Sequence, residues 1–340
     1  MATLSLIVLV VLAMVLVVGT VRDSSRIYQY PFTAAAVFMV FIAPPLFGLL
    51  RTPDLPRWTL GRYALISVLS LAACWLGDAC ARWYSGPRVR VLLYDSRRWL
   101  LGSALLVLIG GLAYLRSRVL FPADFDASAE LPASLSFLTP LLKYGFVMAL
   151  IHFLYTGNRY SLCLSCLAGV YYLDRVALLG RRLDAFEFIF VVVGAIWFAW
   201  KKRPPRAVVL AAVMVALCMA SVGAYRAVVV STTGTTLTSM MDRYNSFWYL
   251  GCLEFLVIGY VMQRLYLQAA AGSMMAQAIY VYMMTQVLYA ITHSTTWLVR
   301  PCVHVLFLWV PVMLYAAVAQ TRPVRKPQTD QARLTLTESA

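Results

Sequence analysis

The sequence predicts an all-α integral membrane protein, a polytopic bundle of about eleven transmembrane helices. Two observations lead there. Of 340 residues, 62% are hydrophobic and only 13% charged, with a mean hydropathy of +0.76, more apolar surface than one soluble core can hide. The apolar residues also gather in long unbroken runs. Hydrocarbon leaves each backbone N–H and C=O to find an internal partner, so only helices or closed barrels span it, and a barrel would alternate polar with apolar residues.

At roughly 17 to 25 residues per span, helices are expected near 3–20, 33–50, 62–80, 99–115, 136–156, 161–180, 184–200, 207–225, 247–264, 274–293 and 301–319. The first segment has no basic residue before it and no small-residue cleavage site after it, so it reads as a retained span. Pro44-Pro45 marks a kink in the second. Residues 1–320 form a single transmembrane domain, and 321–340 a polar tail expected to be disordered. No polar interval is long enough to bury a soluble core.

The net charge of +15 would raise nucleic acid as a partner for a soluble chain. Here the basic residues lie in short clusters between apolar runs, which is the pattern of topology signals. The densest clusters, Arg88 to Arg98 and Lys201 to Arg206, fall on one side of the expected membrane. The positive-inside rule makes that side cytoplasmic, with the N-terminus outside and the tail inside. Arg322, Arg325 and Lys326 beside the last span favour attraction to anionic membrane lipids. Cys163 and Cys166 have CxxC spacing but lie within a hydrophobic segment without a second pair or a His cluster, so no metal is expected.

Ionisable groups inside a span cost a few kcal/mol each by insertion scales. Lys143, Asp174, Arg175 and Glu254 stand at a similar depth toward the outer leaflet, which predicts one shared polar cavity. Asp174 and Arg181, and Arg175 and Arg182, are seven apart, so each pair shares a helical stripe. Two readings stay open: internal ion pairs that hold helices together, or a site whose surplus arginines take an anion, since the guanidinium fork suits phosphate. His293, in Ile291-Thr292-His293-Ser294-Thr295 with Arg300 close behind, is either an interfacial hydrogen bonder or a general base. His152 and His304 lie in apolar runs and read as structural. The stretch from Ser231 to Thr236 is either a linker or a cradle for phosphate or sugar. No P-loop, GxSxG, HExxH or dinucleotide fingerprint occurs.

Gly180-Arg181-Arg182, the basic run Lys201 to Arg206, Gly223-Ala224-Tyr225-Arg226, Thr233-Gly234 and Thr292-His293-Ser294-Thr295 follow one another in an order that resembles the bacterial O-antigen polymerases. These oligosaccharide repeat-unit polymerases are relatives of the O-antigen ligases. The resemblance covers roughly 135–318. It implies a metal-independent inner-membrane glycosyltransferase, without cofactor, that moves glycan from polyprenyl pyrophosphate onto an acceptor glycan at the outer face. Flippase and chain-length regulator proteins would be its partners. It further implies pyrophosphate contacts at Arg181 or Arg182 and at Arg226, and a base or orienter at His293. Glu254 and Asp174 are the reserve for the base role, by position. Lys143, Arg175, Tyr225, Thr233, Gly234 and Arg300 complete the expected substrate contacts. The chain departs from the pattern where Arg226 and Thr233 are only seven positions apart; relatives carry a longer outward segment there. A transporter of an anionic glycan or lipid, or a non-catalytic subunit of an export complex, is the alternative.

Overall fold

The computed structural model describes residues 2–22, 26, 28–49, 57–84, 88–120, 132–177, 182–200, 252–292 and 296–325. Helices stand at ten of the expected spans, and 207–225 lies outside the described residues. In order they are α1 (Ala2–Arg22), α2 (Tyr30–Val37), α3 (Ala43–Leu49), α4 (Arg57–Tyr84), α5 (Ser96–Leu120), α6 (Ala133–Leu138), α7 (Leu141–Thr156), α8 (Arg159–Ala177), α9 (Arg182–Trp200), α10 (Cys252–Ala270), α11 (Met274–Thr292), α12 (Thr296–His304) and α13 (Val310–Ala316). Among the described residues five helical stretches are long and apolar enough to cross a membrane: Trp58–Tyr84, Ser96–Leu120, Ser134–Thr156, Met274–Ile291 and Leu298–Ala316.

The faces of α5 reveal which solvent the helix is built for. Leu101, Leu105, Leu108, Leu112 and Leu115, spaced three or four apart, are all at least half exposed. The opposite face buries Gly102, Ser103, Gly110, Ala113 and Ser117 with Leu106, Val107 and Tyr114. Apolar side chains turned outward and small or polar ones turned inward reverse the pattern of a water-soluble helix, as lipid requires.

Prolines shape two helices. A proline lacks the N–H for the helical ladder and its ring crowds the carbonyl four residues back. The chain responds with a wider π turn, Phe38–Ile42 immediately before α3 with its Pro44-Pro45, and Val305–Trp309 immediately before α13 with its Pro311. The kink expected at Pro44-Pro45 is therefore a π segment between α2 and α3. Gly157 ends α7 with φ of 67°, and Gly272 turns the chain from α10 to α11 with φ of 99°, backbone conformations that side chains with a Cβ resist.

The chain divides into two compact units, 1–84 with 202–264 and 283–301, and 85–201 with 265–282 and 302–340. In the first, α1 packs on α4, and α2 on both. Gly77 of α4 lies against the backbone of Leu256 and Tyr260, and Gly259 of α10 against the backbone of Cys74, so reciprocal glycines bring these two helices into main-chain contact. Tyr30 accepts from Cys74 at 3.5 Å, and Ser70 donates to Cys252 at 3.6 Å.

In the second unit α5 and α7 pack most extensively, followed by α7 on α8 and α9. Gly110 meets the backbone of Leu141 and Leu142, and Gly145 meets Val107 and the Ser103 carbonyl. Tyr144 stacks on Trp309 at 4.7 Å, with Tyr282 edge-on to both rings. Trp99 donates to the Met148 carbonyl at 3.0 Å, which satisfies a buried indole N–H.

One departure from an all-α chain belongs to this unit. β1 (Arg88–Tyr94) pairs antiparallel with β2 (Ala317–Arg325), from Arg88 opposite Arg325 to Tyr94 opposite Ala317, with an irregularity between Leu92 and Leu93. The last helix therefore stops at Ala316 instead of residue 319, and the tail expected to be disordered begins as a strand. Composition hid this because strand pairing is non-local, and Val89, Val91 and Val324 are β-branched residues that pair well only when a partner edge is present. Asp95, between β1 and α5, donates its N–H to the Ala316 carbonyl. Its carboxylate accepts the N–H groups of Arg97 at 2.8 Å and Arg98 at 3.0 Å, capping α5.

Two outcomes are expected from this packing. Gly110→Ala drives a Cβ into the Leu142 backbone, whereas at Gly111 the nearest atom is the Leu142 Cδ1 at 4.0 Å. Thermal unfolding in detergent is expected to show a loss of about 1–3 kcal/mol for the first change and no loss for the second; equal effects would refute the close approach. The Asp95 carboxyl is held below its ordinary value chiefly by the Arg98 N–H, with the Arg97 N–H and both guanidinium charges adding to it. A depressed value means that the unfolded chain binds the proton more readily. The cap therefore contributes in full above about pH 4 and is lost as pH falls through the folded-state value. Amide exchange at Arg97 and Arg98 should lose protection on acidification in the wild type but not in Asp95→Asn, which caps without titrating; identical pH profiles would show the cap to be irrelevant.

Candidate functional site

The polar centre of the second unit is built from four helix ends. α7 starts after the Thr139-Pro140 turn, which places Lys143 in its first turn with a side chain only 14% exposed. Asp184 and Glu187 are three residues apart in the first turns of α9 and so share a face. A helix N-terminus favours acidic side chains through its unpaired N–H groups. The Lys143 Nζ lies 2.6 Å from Glu187 Oε2 and 3.4 Å from Asp184 Oδ1. Tyr172 of α8 donates its hydroxyl to the other Glu187 oxygen at 3.1 Å. The ammonium also stands 5.5 Å and 5.9 Å from the ring centres of Tyr172 and Tyr171, within the range of cation–π attraction.

A second ionic node lies on α5 and α8. Tyr114 and Arg118, four apart on α5, both reach Asp174: the hydroxyl donates to Oδ2, and Arg118 Nη2 lies 2.6 Å from Oδ1. Arg118 stands in the last turn of α5, where a cation meets the negative end of the helix. Tyr171 connects the nodes, edge-on to Tyr114 at 5.0 Å and to Tyr172 at 5.5 Å. Together the nodes join α5 to α8 and α7 to α8 and α9, and they flank the sequence 178–181, where α8 gives way to α9.

This arrangement corrects one expectation. Lys143 and Asp174 do not pair with each other among the described contacts. Lys143 is met by Asp184 and Glu187, and Asp174 by Arg118 and Tyr114. In hydrocarbon the nearest available counter-charge takes each ion, because an unbalanced charge there is too costly to keep for a distant partner. The described contacts of Lys143 and Asp174 are ion pairs, while the arginines on which the anion-site reading rests, Arg175, Arg181 and Arg182, have side chains outside the described residues. Glu254 belongs to the first unit, in the first turn of α10, half-buried. Arg300 is exposed on α12. His152 lies between Ser96 at 2.8 Å and Ser161 at 2.5 Å, and His304 packs edge-on to Phe137 and Tyr144, structural placements for both. Arg181, Tyr225, Arg226, Thr233, Gly234 and His293 lie outside the described residues, as do the side chains of Arg175 and Arg182.

No family model, curated protein or solved structure matches this chain. The chemistry must be read from the side chains themselves. Among the described residues no group of three His, Cys, Asp or Glu is placed to hold a metal ion. What the nodes supply is a set of fixed charges at the ends of four helices. Sequence reasoning missed Asp184, Glu187, Arg118 and the three tyrosines, Tyr114, Tyr171 and Tyr172. The signal for the acids was present, two carboxylates with i, i+3 spacing at the start of an apolar run; for Arg118 and the tyrosines nothing local distinguishes a partner from an interfacial residue.

Removing Lys143 leaves two carboxylates in a nearly sealed setting. Lys143→Met is expected to destabilise the purified protein by about 3–5 kcal/mol, and adding Glu187→Gln to it to recover part of that loss. Thermal unfolding in detergent measures both. Independent, additive effects would show that the two side chains do not form a pair.

Proposed function

We propose that the chain is a glycosyltransferase of the repeat-unit polymerase or ligase type. It acts on polyprenyl-pyrophosphate-linked oligosaccharide at the outer face of a bacterial inner membrane, in surface or exopolysaccharide synthesis. The observation that carries this reading is the junction of α8 and α9. The first of the ordered motifs, Gly180-Arg181-Arg182, falls there, between Asp174 on one side and Asp184 with Glu187 on the other, and both flanks are tied by ion pairs to α5 and α7. A departing pyrophosphate is best stabilised by cations that are already held in place when its charge develops, in a setting poor in water. In this reading Arg181 and Arg182 supply those cations, between flanking residues that the ion pairs hold. Arg226 supplies a second pyrophosphate contact in this reading, and His293 orients or deprotonates the acceptor hydroxyl, with Glu254 in reserve.

The proposed topology has eleven crossings, the N-terminus outside and the tail inside. The β1–β2 ladder supports it: paired strands lie on one side of any bilayer the helices cross, so an even number of crossings separates Tyr94 from Ala317. The eight spans expected between them satisfy this. In that topology the basic run Arg88 to Arg98 and the basic tail share the cytoplasmic side, as the positive-inside rule requires, and the strand pairing supports this reading.

A second reading, a permease for an anionic glycan or lipid, draws on Lys143. One ammonium facing two carboxylates can hold a coupling proton or cation within a span. Labelling of Arg175→Cys from both faces of the membrane would favour it.

The deciding experiment is polymer length on a gel from cells lacking this gene, complemented with wild type, Arg226→Ala, Arg226→Lys or His293→Ala at equal membrane abundance. Loss of long chains is expected in all three variants. Arg226→Lys belongs among them because an ammonium cannot replace a bidentate guanidinium. Unchanged chain length in Arg226→Ala and His293→Ala would refute the transferase reading.

A further inference from the structure

Four helix ends of the second unit meet at one level. Ser96 opens α5 and lies 2.8 Å from the ring of His152, near the end of α7, and the same ring reaches Ser161 in the first turn of α8 at 2.5 Å. The Ala316 carbonyl, which ends α13, accepts the Asp95 N–H. This closure brings arginines from separate helices to one end of the unit. Arg97 and Arg98 of α5 and Arg159 of α8 are exposed, and none of the three is ion-paired among the described residues. Arg98 lies over the ring of Tyr315, 5.8 Å from its centre. Asp95, the acid beside them, has its carboxylate engaged by the N–H groups of Arg97 and Arg98. The β1–β2 ladder joins the same end, and its register sets Arg88 directly opposite Arg325. Like charges in that position oppose strand pairing, and an anion between them would relieve the opposition.

We propose that this end of the unit is a surface for the headgroups of anionic phospholipids, with Arg97, Arg98 and Arg159 as its centre. Three observations commit it to lipid rather than to a soluble anion or a nucleic acid. The stretches Ser96–Leu120, Ser134–Thr156 and Leu298–Ala316 are long and apolar enough to cross a membrane, and each starts or ends here. Tyr155, Tyr160 and Tyr315 stand at the same helix ends and are 42%, 75% and 59% exposed, as in the aromatic belt found at headgroup depth. About one turn farther along, the exposed surface is already apolar, with Leu101 on α5 and Leu162 on α8, so the arginines stand where a long side chain reaches from hydrocarbon to phosphate. Guanidinium groups suit phosphate, and their surplus over Asp95 favours a lipid of net negative charge over a zwitterionic one. The attraction is electrostatic and weakens as salt rises. The surface is independent of the transferase reading and stands or falls without it.

The test uses the full-length protein in detergent, titrated separately with phosphatidylglycerol and phosphatidylcholine, with lipid retention by native mass spectrometry and thermal midpoint as readouts. The wild type is expected to prefer phosphatidylglycerol, by about fivefold for each arginine engaged. Arg97→Gln, Arg98→Gln and Arg159→Gln should each lower the preference by about that factor. Arg116→Gln removes an exposed arginine near the opposite end of α5 and should leave the preference unchanged, which separates a local surface from an effect of net charge. Soluble glycerophosphoglycerol separates the sources: no competition at millimolar concentration supports a lipid, and competition equal to the lipid's overturns it in favour of a soluble anion. Displacement of phosphatidylglycerol by single-stranded RNA at physiological salt would overturn the assignment to a membrane. Equal retention of the two lipids by the wild type, or an equal loss of preference in Arg116→Gln, would overturn the proposal as a whole.

Discussion

The close approach of α5 and α7 is the constraint on which the second unit depends. Gly110 and Gly145 leave room for one helix backbone to lie against the other. In lipid that contact matters more than it would in water, because burying leucine against leucine gains little when the solvent is itself hydrocarbon. Dispersion between closely packed main chains takes its place. Lys143 stands two residues from Gly145, and Tyr114 and Arg118 stand one and two turns beyond Gly110. The glycine contact therefore sets where each charged side chain emerges, and the ion pairs depend on it.

Those ion pairs explain how the chain tolerates so many ionisable groups in apolar surroundings. Lys143 is matched by two acids and a tyrosine hydroxyl, and Asp174 by an arginine and a second tyrosine. The partners sit on helices other than the ion's own, so the charges act as cross-links as well as balancing one another. In the first unit Arg82 pairs with Asp78 within α4 and donates across to Gln29 at the start of α2. There the balance is incomplete, and the remaining carboxylate oxygen is buried without a hydrogen-bond partner among the described residues. A fully matched node stiffens the fold.

The helices were legible because a lipid solvent imposes a simple rule, a continuous apolar run of span length, and among the described residues α4, α5, the α6–α7 segment, α11 and the α12–α13 segment obey it. The ladder was not legible, since nothing in 88–94 names 317–325 as its partner and the ends of apolar runs look alike whether they fray or pair. The candidate site was legible in part. Lys143 and Asp174 stood out as ions in the wrong solvent, but Asp184 and Glu187 sat at the edge of a run and passed as interfacial residues.

The sequence by itself determined the solvent, the positions of the helices and the presence of charge inside them, because these depend on composition and on spacing along one chain. Which charges meet was decided only by the tertiary structure. A lysine in a helix can pair with any acid at its depth, and since α7 packs on both α8 and α9, the choice of Glu187 over Asp174 rests on the level at which each helix approaches its neighbour. That approach is governed by glycines whose lack of a side chain is visible in the sequence and whose partners are not.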